Sequence, residues 1–354
     1  MHLTIAMLTY RRNDYLAQVI PELLAQADDV CDAQTTASVL IVDNDPQAGA
    51  RAVVEAARAA LAGGQSEAAE SSGQAGPSGS ADSEASEPTG QADPAAAAAT
   101  SRLVYVHEPE PGIVAGRNRA LSQARGSDAL VFIDDDEIPS PGWLKALVST
   151  WRAQGCAAVT GPTPPTFEAD PSAWATASGA FDSWEAADGA QVRSADTGNL
   201  LLDLAVVEDL GLRFDPRYGL TGGEDSLFTR QLTRAGGVIR FAAGAVVTKR
   251  VPAARARRTW VLERSLRSGS SWARVRIDTS GAGSSRSRSR GLPTAVPPAD
   301  SRASGCAWAM APRDWPRPVS TGRAPAWPAS VVTCPLRPAT RSPRAGDWAW
   351  WWAL

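Results

Sequence analysis

The chain is poor in the residues that build zinc sites and disulfide-linked folds. Its 354 residues include two His and four Cys, and no two cysteines lie in a C-x-x-C spacing. This pattern predicts neither a zinc site nor a disulfide framework, and it favours an intracellular, cytoplasmic protein. No run of about 18–20 apolar residues is present, so we expect no membrane span. The first residues also lack the basic segment and long apolar run of a signal peptide.

The net charge of −3 averages two regions of opposite sign. Residues 281–354 contain ten Arg, three Asp and no Lys, a net charge of +7, so residues 1–280 carry −10. An acidic body argues against a nucleic-acid partner, because the phosphate backbone would be repelled. It remains compatible with a single nucleotide bound through a metal ion.

Strand-like and helix-like segments alternate along residues 1–277. This alternation predicts an α/β fold, a doubly wound, mainly parallel sheet flanked by helices. Asn13 or Asp14 is expected to cap the first helix, and Pro21 to kink or shorten it. The predicted strands include residues 3–9, 38–42, 102–107, 129–133 and 157–161.

Two segments differ in composition from this domain. Residues 62–100 contain no Val, Ile, Leu, aromatic or basic side chain, so we predict a disordered insertion. Residues 278–354 are rich in Arg, Pro, Ser and Trp without apolar periodicity. This tail is either a flexible basic segment or the product of out-of-frame translation, and the sequence assigns it no function.

The most informative motif is an acidic cluster after a buried strand. Five apolar residues at 129–133 precede Asp134, Asp135, Asp136 and Glu137. Strand geometry would place Asp134 and Asp136 on one face and Asp135 on the other. Adjacent buried carboxylates need a neutralising cation, and oxygen ligands suit Mg²⁺ or Mn²⁺. A solvated acidic turn is the alternative interpretation.

Six motifs, in order, resemble the family 2 glycosyltransferases of the GT-A fold. Among these, the similarity is strongest to bacterial exopolysaccharide glycosyltransferases of the succinoglycan type. The resemblance covers about 1–61 and 101–277. The motifs are residues 8–12, 42–45, 111–121, 132–137, 197–199 and 222–225.

The resemblance implies an inverting transferase with a metal-dependent donor site. It would move a sugar from a nucleotide-sugar donor, with UDP favoured, to a hydroxyl of a glycan or lipid-linked acceptor in cell-surface polysaccharide or glycolipid synthesis. It implies that Asp134 and Asp136 hold the Mn²⁺ or Mg²⁺ ion against the diphosphate. Asp225 would deprotonate the acceptor and Glu224 would orient it. Helix capping is the alternative role for this pair.

The resemblance also implies a set of donor contacts and an acceptor side. Gly198 and Asn199 would face the acceptor. Other roles stay open for three of the implied donor residues. Arg11 could be an ordinary surface arginine, Asp43 could cap a helix, and Arg117 could form an ion pair with the acidic cluster. The implied nucleotide-sugar contacts are Thr9, Tyr10, Arg11, Asp43, Arg117, Asp134 and Asp135.

Two further segments bear on the function. Many relatives carry a His or acidic residue where this chain has Thr248, Lys249 and Arg250. A basic amphipathic helix at about 254–275 favours either peripheral contact with the inner face of the plasma membrane or packing on the core with a solvated face. Nothing in the sequence indicates an oligomeric state.

Two rival functions remain at this stage. A sugar-phosphate nucleotidyltransferase would use a similar sheet and acidic site, but residues 8–11 lack the Gly-rich phosphate loop and Lys of that class. A non-catalytic or truncated nucleotide-binding remnant is the other, and the unusual tail favours it.

Overall fold

The computed structural model describes residues 1–70, 97, 101–219 and 221–280, with the backbone alone for 63–70. The strands are β1 (His2–Thr9), β2 (Thr36–Asp43), β3 (Leu103–His107), β4 (Ala129–Asp134), β5 (Glu137–Pro139), β6 (Ala158–Thr160), β7 (Pro165–Phe167), β8 (Gln191–Val192), β9 (Asn199–Asp203), β10 (Ile239–Phe241) and β11 (Val247–Val251). The helices are α1 (Asn13–Val30), α2 (Arg51–Glu70), α3 (Ile113–Gln123), α4 (Trp143–Gln154), α5 (Ala173–Ala177), α6 (Leu204–Asp209), α7 (Glu224–Arg234) and α8 (Arg258–Ser280), with a 3-10 turn at Pro216–Tyr218.

A large sheet has the strand order β3-β2-β1-β4-β9-β6-β10-β8. The pairs β3–β2, β2–β1 and β1–β4 are parallel, as the strand–helix alternation predicts. β9 runs antiparallel between β4 and β6, and β8 is antiparallel to β10. The predicted α/β fold is confirmed, with a sheet that is parallel in its first half and mixed in its second.

The period-two pattern of β1 builds a separate core on each face of the sheet. Leu3, Ile5 and Met7 pack with α1 and α4 on one face. Ala6 and Leu8 pack with α3 and α7 on the other. Because successive strand residues point to opposite faces, an all-apolar strand is buried on both sides, as a parallel sheet covered by helices requires.

A second sheet has the order β5-β11-β7, and the sequence pattern did not reveal it. β11 lies antiparallel to β5 and parallel to β7. Its strands are three to five residues long, too short for a clear alternation of side chains. This small sheet positions the second half of the acidic cluster.

Helix boundaries differ from the predicted ones in three places. α1 begins at Asn13, so Asn13 and Asp14 lie inside the helix and the predicted capping by either is wrong; Arg12 holds the cap position without a side-chain capping hydrogen bond. The helix continues through Pro21 to Val30, so the predicted shortening is also wrong. The buried stripe of this helix, with Leu16, Ile20 and Leu23, offsets the roughly 3 kcal/mol cost of an interior proline. α2 extends to Glu70, in line with its Ala-rich sequence, so the prediction of disorder is wrong for residues 62–70. The basic helix is α8, at Arg258–Ser280.

The rest of the predicted insertion and nearly all of the tail lie outside the described residues. Among the helices of the described part, none combines the length and the apolar character that crossing a membrane requires.

Candidate active site

The candidate site lies at the carboxyl ends of β1, β2 and β4. Strand register aligns Thr9 with Asp43 and Leu8 with Asp134. The parallel strands therefore bring Thr9, Asp43 and Asp134 to one edge of the sheet, where open α/β sheets bind ligands.

The acidic cluster is a turn between the two sheets. β4 ends at Asp134, Asp135 and Asp136 form the turn, and Glu137 begins β5. One carboxylate oxygen from each of Asp134, Asp136 and Glu137 lies within 4.8 Å of the others. The chain turns after Asp134, so the predicted strand geometry is wrong there, but Asp134 and Asp136 do lie together as predicted. We call Asp134, Asp136 and Glu137 the carboxylate triad.

Glu137 joins the triad because residue 198 has no side chain. A Cβ at Gly198 would lie 2.6 Å from Glu137 Oε1 and 2.7 Å from Oε2. The backbone N–H of Asp134 donates to Glu137 Oε2 at 3.3 Å, and Glu137 is 1% exposed. Burial raises the pKa of Glu137 to about 8, while the charge of Lys249 opposes this shift.

Lys249 provides most of the positive charge that neutralises the carboxylate triad. Its Nζ lies 3.0 Å from Glu137 Oε1, 3.3 Å from Asp134 Oδ2 and 3.5 Å from Asp136 Oδ1. Although burial opposes its charge, these three carboxylates raise the pKa of Lys249. The ammonium therefore stays charged at neutral pH.

Two arginines complete the neutralisation of the turn. Arg255 Nη1 donates to Asp136 Oδ2 at 2.9 Å, and Arg12 Nη1 lies 2.5 Å from Asp135 Oδ1 and 3.2 Å from Asp136 Oδ2. Burial alone would raise the pKa of Asp136, but the positive charges of Lys249, Arg12 and Arg255 together lower it. Burial raises the pKa of Asp135 to about 6 in spite of Arg12.

Arg117 connects the acidic turn to Glu224, the neighbour of the predicted base Asp225. Its Nη1 donates to Glu224 Oε1, and its Nη2 lies 3.9 Å from Asp134 Oδ1. Gly116 allows this approach, because a Cβ there would lie 2.7 Å from Leu8 Cδ2, so only glycine lets α3 pack this closely on β1. The ion pair with the acidic cluster, left open by the sequence, is present and extends to Glu224.

Glu224 and Asp225 open α7 after two glycines in left-handed conformations. Gly222 has φ of 72° and Gly223 of 88°. Burial raises the pKa of Glu224 to about 7, with Asp225 adding to the shift and Arg117 opposing it. Asp225 is half-buried, and its Oδ1 accepts from the Ser226 N–H at 2.6 Å.

The loop after β1 borders an open cleft of about 740 Å³, within the size range of ligand pockets. Arg11 has φ of 55° and pairs through Nε with Asp45 Oδ1 at 3.2 Å. Its guanidinium lies 5.1 Å from the Tyr10 ring centroid. The cleft is lined by Arg11, Arg12, Asn13, Asp14, Tyr15, Asp45 and Gln47.

Asp43 is fully buried and accepts hydrogen bonds from the loop that follows β2. Its Oδ1 accepts from the Asp45 N–H at 3.0 Å, and its Oδ2 accepts from the Ala50 N–H and the Tyr105 hydroxyl, both at 2.9 Å. Ala50 precedes α2, so Asp43 holds the loop that leads into this helix and accepts no hydrogen bond from the described residues of its first turn. The predicted contact of Asp43 with the base remains a prediction.

Asn199 is 2% exposed, and its amide joins three segments beneath the triad. Its Oδ1 accepts from Trp143 Nε1 at 2.9 Å, and its Nδ2 donates to the carbonyls of Ala245 at 2.7 Å and Pro162 at 3.3 Å. These contacts are internal, and Gly198 faces Glu137. Their acceptor-side role remains a prediction.

Several buried polar atoms around the site have no partner among the described residues. They are Thr9 Oγ1, Asp135 Oδ2, Thr197 Oγ1 and Glu224 Oε2. Buried polar atoms are normally paired, so a concentration of unpaired ones at one sheet edge is typical of a surface completed by a polar ligand.

Sequence reasoning missed three site residues. Glu137 was part of the acidic motif but was not chosen as a metal ligand. Lys249 stood out only as a departure from the relatives, and Arg255 was read as part of the basic helix. The sequence signal for Lys249 is the rarity of lysine, since Lys145 is the only other lysine of the chain.

Comparison with known sequences gives two matches. The family model of Glycosyl transferase family 2 matches residues 84–193. The succinoglycan biosynthesis protein ExoM of Rhizobium meliloti (strain 1021) is 31% identical over 279 residues, which span 78% of this chain and 75% of ExoM.

Comparison with solved structures finds S. aureus TarS. Residues 1–349 of TarS align with a TM-score of 0.46 and 14% identity, over 71% of this chain and 60% of that chain. The complex of the same TarS fragment with UDP aligns with a TM-score of 0.45 and 14% identity, over 71% and 61%. This chain thus spans less than two thirds of the TarS chains.

Proposed function

Because this chain belongs to glycosyl transferase family 2 and is therefore an inverting glycosyltransferase with a nucleotide-sugar donor, we propose that it transfers a sugar from a UDP-sugar to a hydroxyl of a glycan or lipid-linked acceptor. The membership confirms the resemblance drawn from the six motifs. It does not favour the nucleotidyltransferase alternative. Since ExoM is described as a succinoglycan biosynthesis protein, we place the reaction in exopolysaccharide synthesis.

One observation carries the proposal. The carboxylate triad and the Glu224–Asp225 pair are separate acidic groups, and the buried Arg117 bridges them by pairing with Glu224 and approaching Asp134. A glycosyl transfer needs two such groups. The leaving diphosphate must be neutralised by positive charge, whereas the attacking hydroxyl needs a carboxylate that accepts its proton.

The triad is the donor half of the proposed site. Its three closely spaced carboxylates are hard oxygen ligands, which fit Mg²⁺ or Mn²⁺. When bound, such a cation would supply Lewis-acid neutralisation of the diphosphate. Arg12 lines the 740 Å³ cleft and also pairs with Asp136 of the triad. This supports a role for Arg12 in holding a phosphate, and we propose that Tyr10 and Arg11 contact the rest of the donor.

Asp225 is the proposed base of the acceptor half. Its carboxylate would accept the proton of the acceptor hydroxyl as that oxygen bonds to the anomeric carbon. The bond to the diphosphate breaks in the same displacement, so UDP leaves with the bonding electrons and the configuration inverts. Glu224, held by Arg117, would orient the acceptor beside it.

Peripheral contact with the inner face of the plasma membrane is the proposed location. Leu262, Leu266 and Ile277 are 60%, 74% and 71% exposed, and their spacing places them on one face of α8. The helix also carries five Arg against one Glu and one Asp. An exposed apolar face with basic flanks suits anionic lipid, and vesicle flotation with anionic or neutral lipid tests it.

Calorimetric titration of the full chain tests the donor site. UDP, GDP and dTDP would be added with and without Mn²⁺, to wild type and to Asp136→Asn. Asp209→Asn is the matched control, because Asp209 lies on α6, far from the triad. This helix begins beside the amino end of β4, where the Leu204 N–H donates to the Asp128 carbonyl. We expect Mn²⁺-dependent binding of UDP that Asp136→Asn abolishes. Folded wild-type protein that binds none of the three nucleotides would contradict the proposal.

A further inference from the structure

Strand pairing fixes Lys249 opposite the triad. In the antiparallel pair of β11 and β5, Lys249 is the direct partner of Glu137. Cross-strand partners lie about 5 Å apart, so the ammonium approaches the triad from the small sheet. It contacts one oxygen of each triad member, at 3.0, 3.3 and 3.5 Å.

These contacts use the carboxylates that a divalent cation would need. An ammonium and a metal ion sharing three carboxylates would lie only a few ångströms apart, and their repulsion in a buried site is large. Lys249 must therefore move away when a metal binds, and a displaced ammonium needs another anion. The diphosphate of the donor is the anion that arrives with the metal.

We propose that Lys249 is a positioning residue that couples metal binding to nucleotide binding, an inference that rests on the proposed function. Without nucleotide, its ammonium competes with the metal for the triad and keeps metal affinity low. With nucleotide, the ammonium transfers to the diphosphate and the triad accepts the cation. Since such coupling is reciprocal, the metal raises the affinity for UDP by the same factor.

The charges around the triad support this role for Lys249 in particular. Arg12 also pairs with Asp135, and Arg255 pairs with Asp136 alone among the triad. Lys249 is the cation that contacts all three members in the part of the chain that the structure describes. An ammonium is also a compact, mobile charge on a flexible stem, so it is suited to exchange one anion for another.

Titration with Mn²⁺ alone and with Mn²⁺ in saturating UDP tests the proposal on the full chain. We expect Lys249→Gln to bind Mn²⁺ alone at least about tenfold more tightly than wild type, and the gain from UDP to shrink by a similar factor. Lys249→Arg, which keeps the charge, should bind Mn²⁺ alone no more tightly than wild type. Lys145→Gln, on the exposed face of α4, is the control for loss of a lysine elsewhere.

Equal or weaker binding of Mn²⁺ by Lys249→Gln would overturn the proposal, as would the same gain in Lys145→Gln. If Lys249→Gln does not fold, Lys249→Met, with a side chain of similar length, gives the same comparison. Failure of the proposed function has a different signature, since wild type would then bind no UDP while the comparison in Mn²⁺ alone still reports on Lys249.

Discussion

The substitution Gly198→Ala tests whether the triad depends on the missing side chain at residue 198. A Cβ there would lie 2.6 Å and 2.7 Å from the two carboxylate oxygens of Glu137 and 3.0 Å from its Cδ. Real Cβ atoms do not approach other atoms this closely, so Glu137 must move. Its carboxylate is buried and bonded to Lys249 at 3.0 Å, so any movement breaks that contact.

Overpacking of this kind costs about 1–3 kcal/mol. Each kcal/mol lowers the melting temperature of a domain of this size by about 2–4 °C. We therefore expect Gly198→Ala to melt measurably below wild type, and to lose Mn²⁺-dependent UDP binding by about tenfold or more, because one triad ligand is displaced. Thermal unfolding and calorimetric titration measure the two effects.

Gly244→Ala is the matched control. A Cβ at Gly244 would meet Ala146 Cβ at 3.6 Å, an ordinary contact, so this variant should be near neutral in stability and binding. If Gly198→Ala behaves like Gly244→Ala in both assays, the steric argument for the triad is refuted.

Three further predictions concern the acceptor half. At pH 8, Arg117→Gln should destabilise the protein by about 3–5 kcal/mol in urea unfolding, because it leaves Glu224 buried and unpaired; a loss no larger than that of the exposed Arg119→Gln on the same helix would contradict this. The raised pKa of Glu224, about 7 against an ordinary 4.5, means that between these pH values the folded state holds a proton that the unfolded state has lost. Stability should therefore fall by on the order of 3 kcal/mol as pH rises from about 4.5 to 7, and Glu224→Gln should flatten this part of the pH profile of urea midpoints. Asp225→Asn should lower the rate of UDP release from a panel of UDP-sugars with a lipid-linked glycan acceptor by about 10²–10⁴-fold while UDP affinity is unchanged; a rate equal to that of Asp209→Asn would exclude Asp225 as the base.

The sequence was sufficient for the parts of the fold that repeat a strong local pattern. Buried strands such as β1 and β4 contain continuous apolar runs, IAML and ALVFI, and residues at their carboxyl ends share one edge of a parallel sheet. Thr9, Asp43 and Asp134 could therefore be brought together from spacing alone. The order of the six motifs added the prediction of an acceptor half.

The remaining parts depend on long-range pairing that local pattern does not encode. Glu137 enters the triad because the chain turns at Asp135 and because Gly198, far along the sequence, leaves room. Lys249 reaches the triad through the register of β11 against β5, a pairing between segments more than 100 residues apart. Pro21 does not shorten α1, because the packing of that helix outweighs the local cost of the proline.

Because β1, β2 and β3 are parallel, the connection from α2 to β3 meets the sheet at the end opposite to the candidate site. The connection from α2 to β3 enters the sheet at Leu103, the amino end of its edge strand, whereas the site lies at the carboxyl ends. Arg58 of α2 donates to the Leu103 carbonyl at 2.8 Å, so α2 reaches the amino end of the sheet, remote from the triad. The α2–β3 connection is a natural place to insert an affinity tag or a fluorescent reporter without disturbing catalysis.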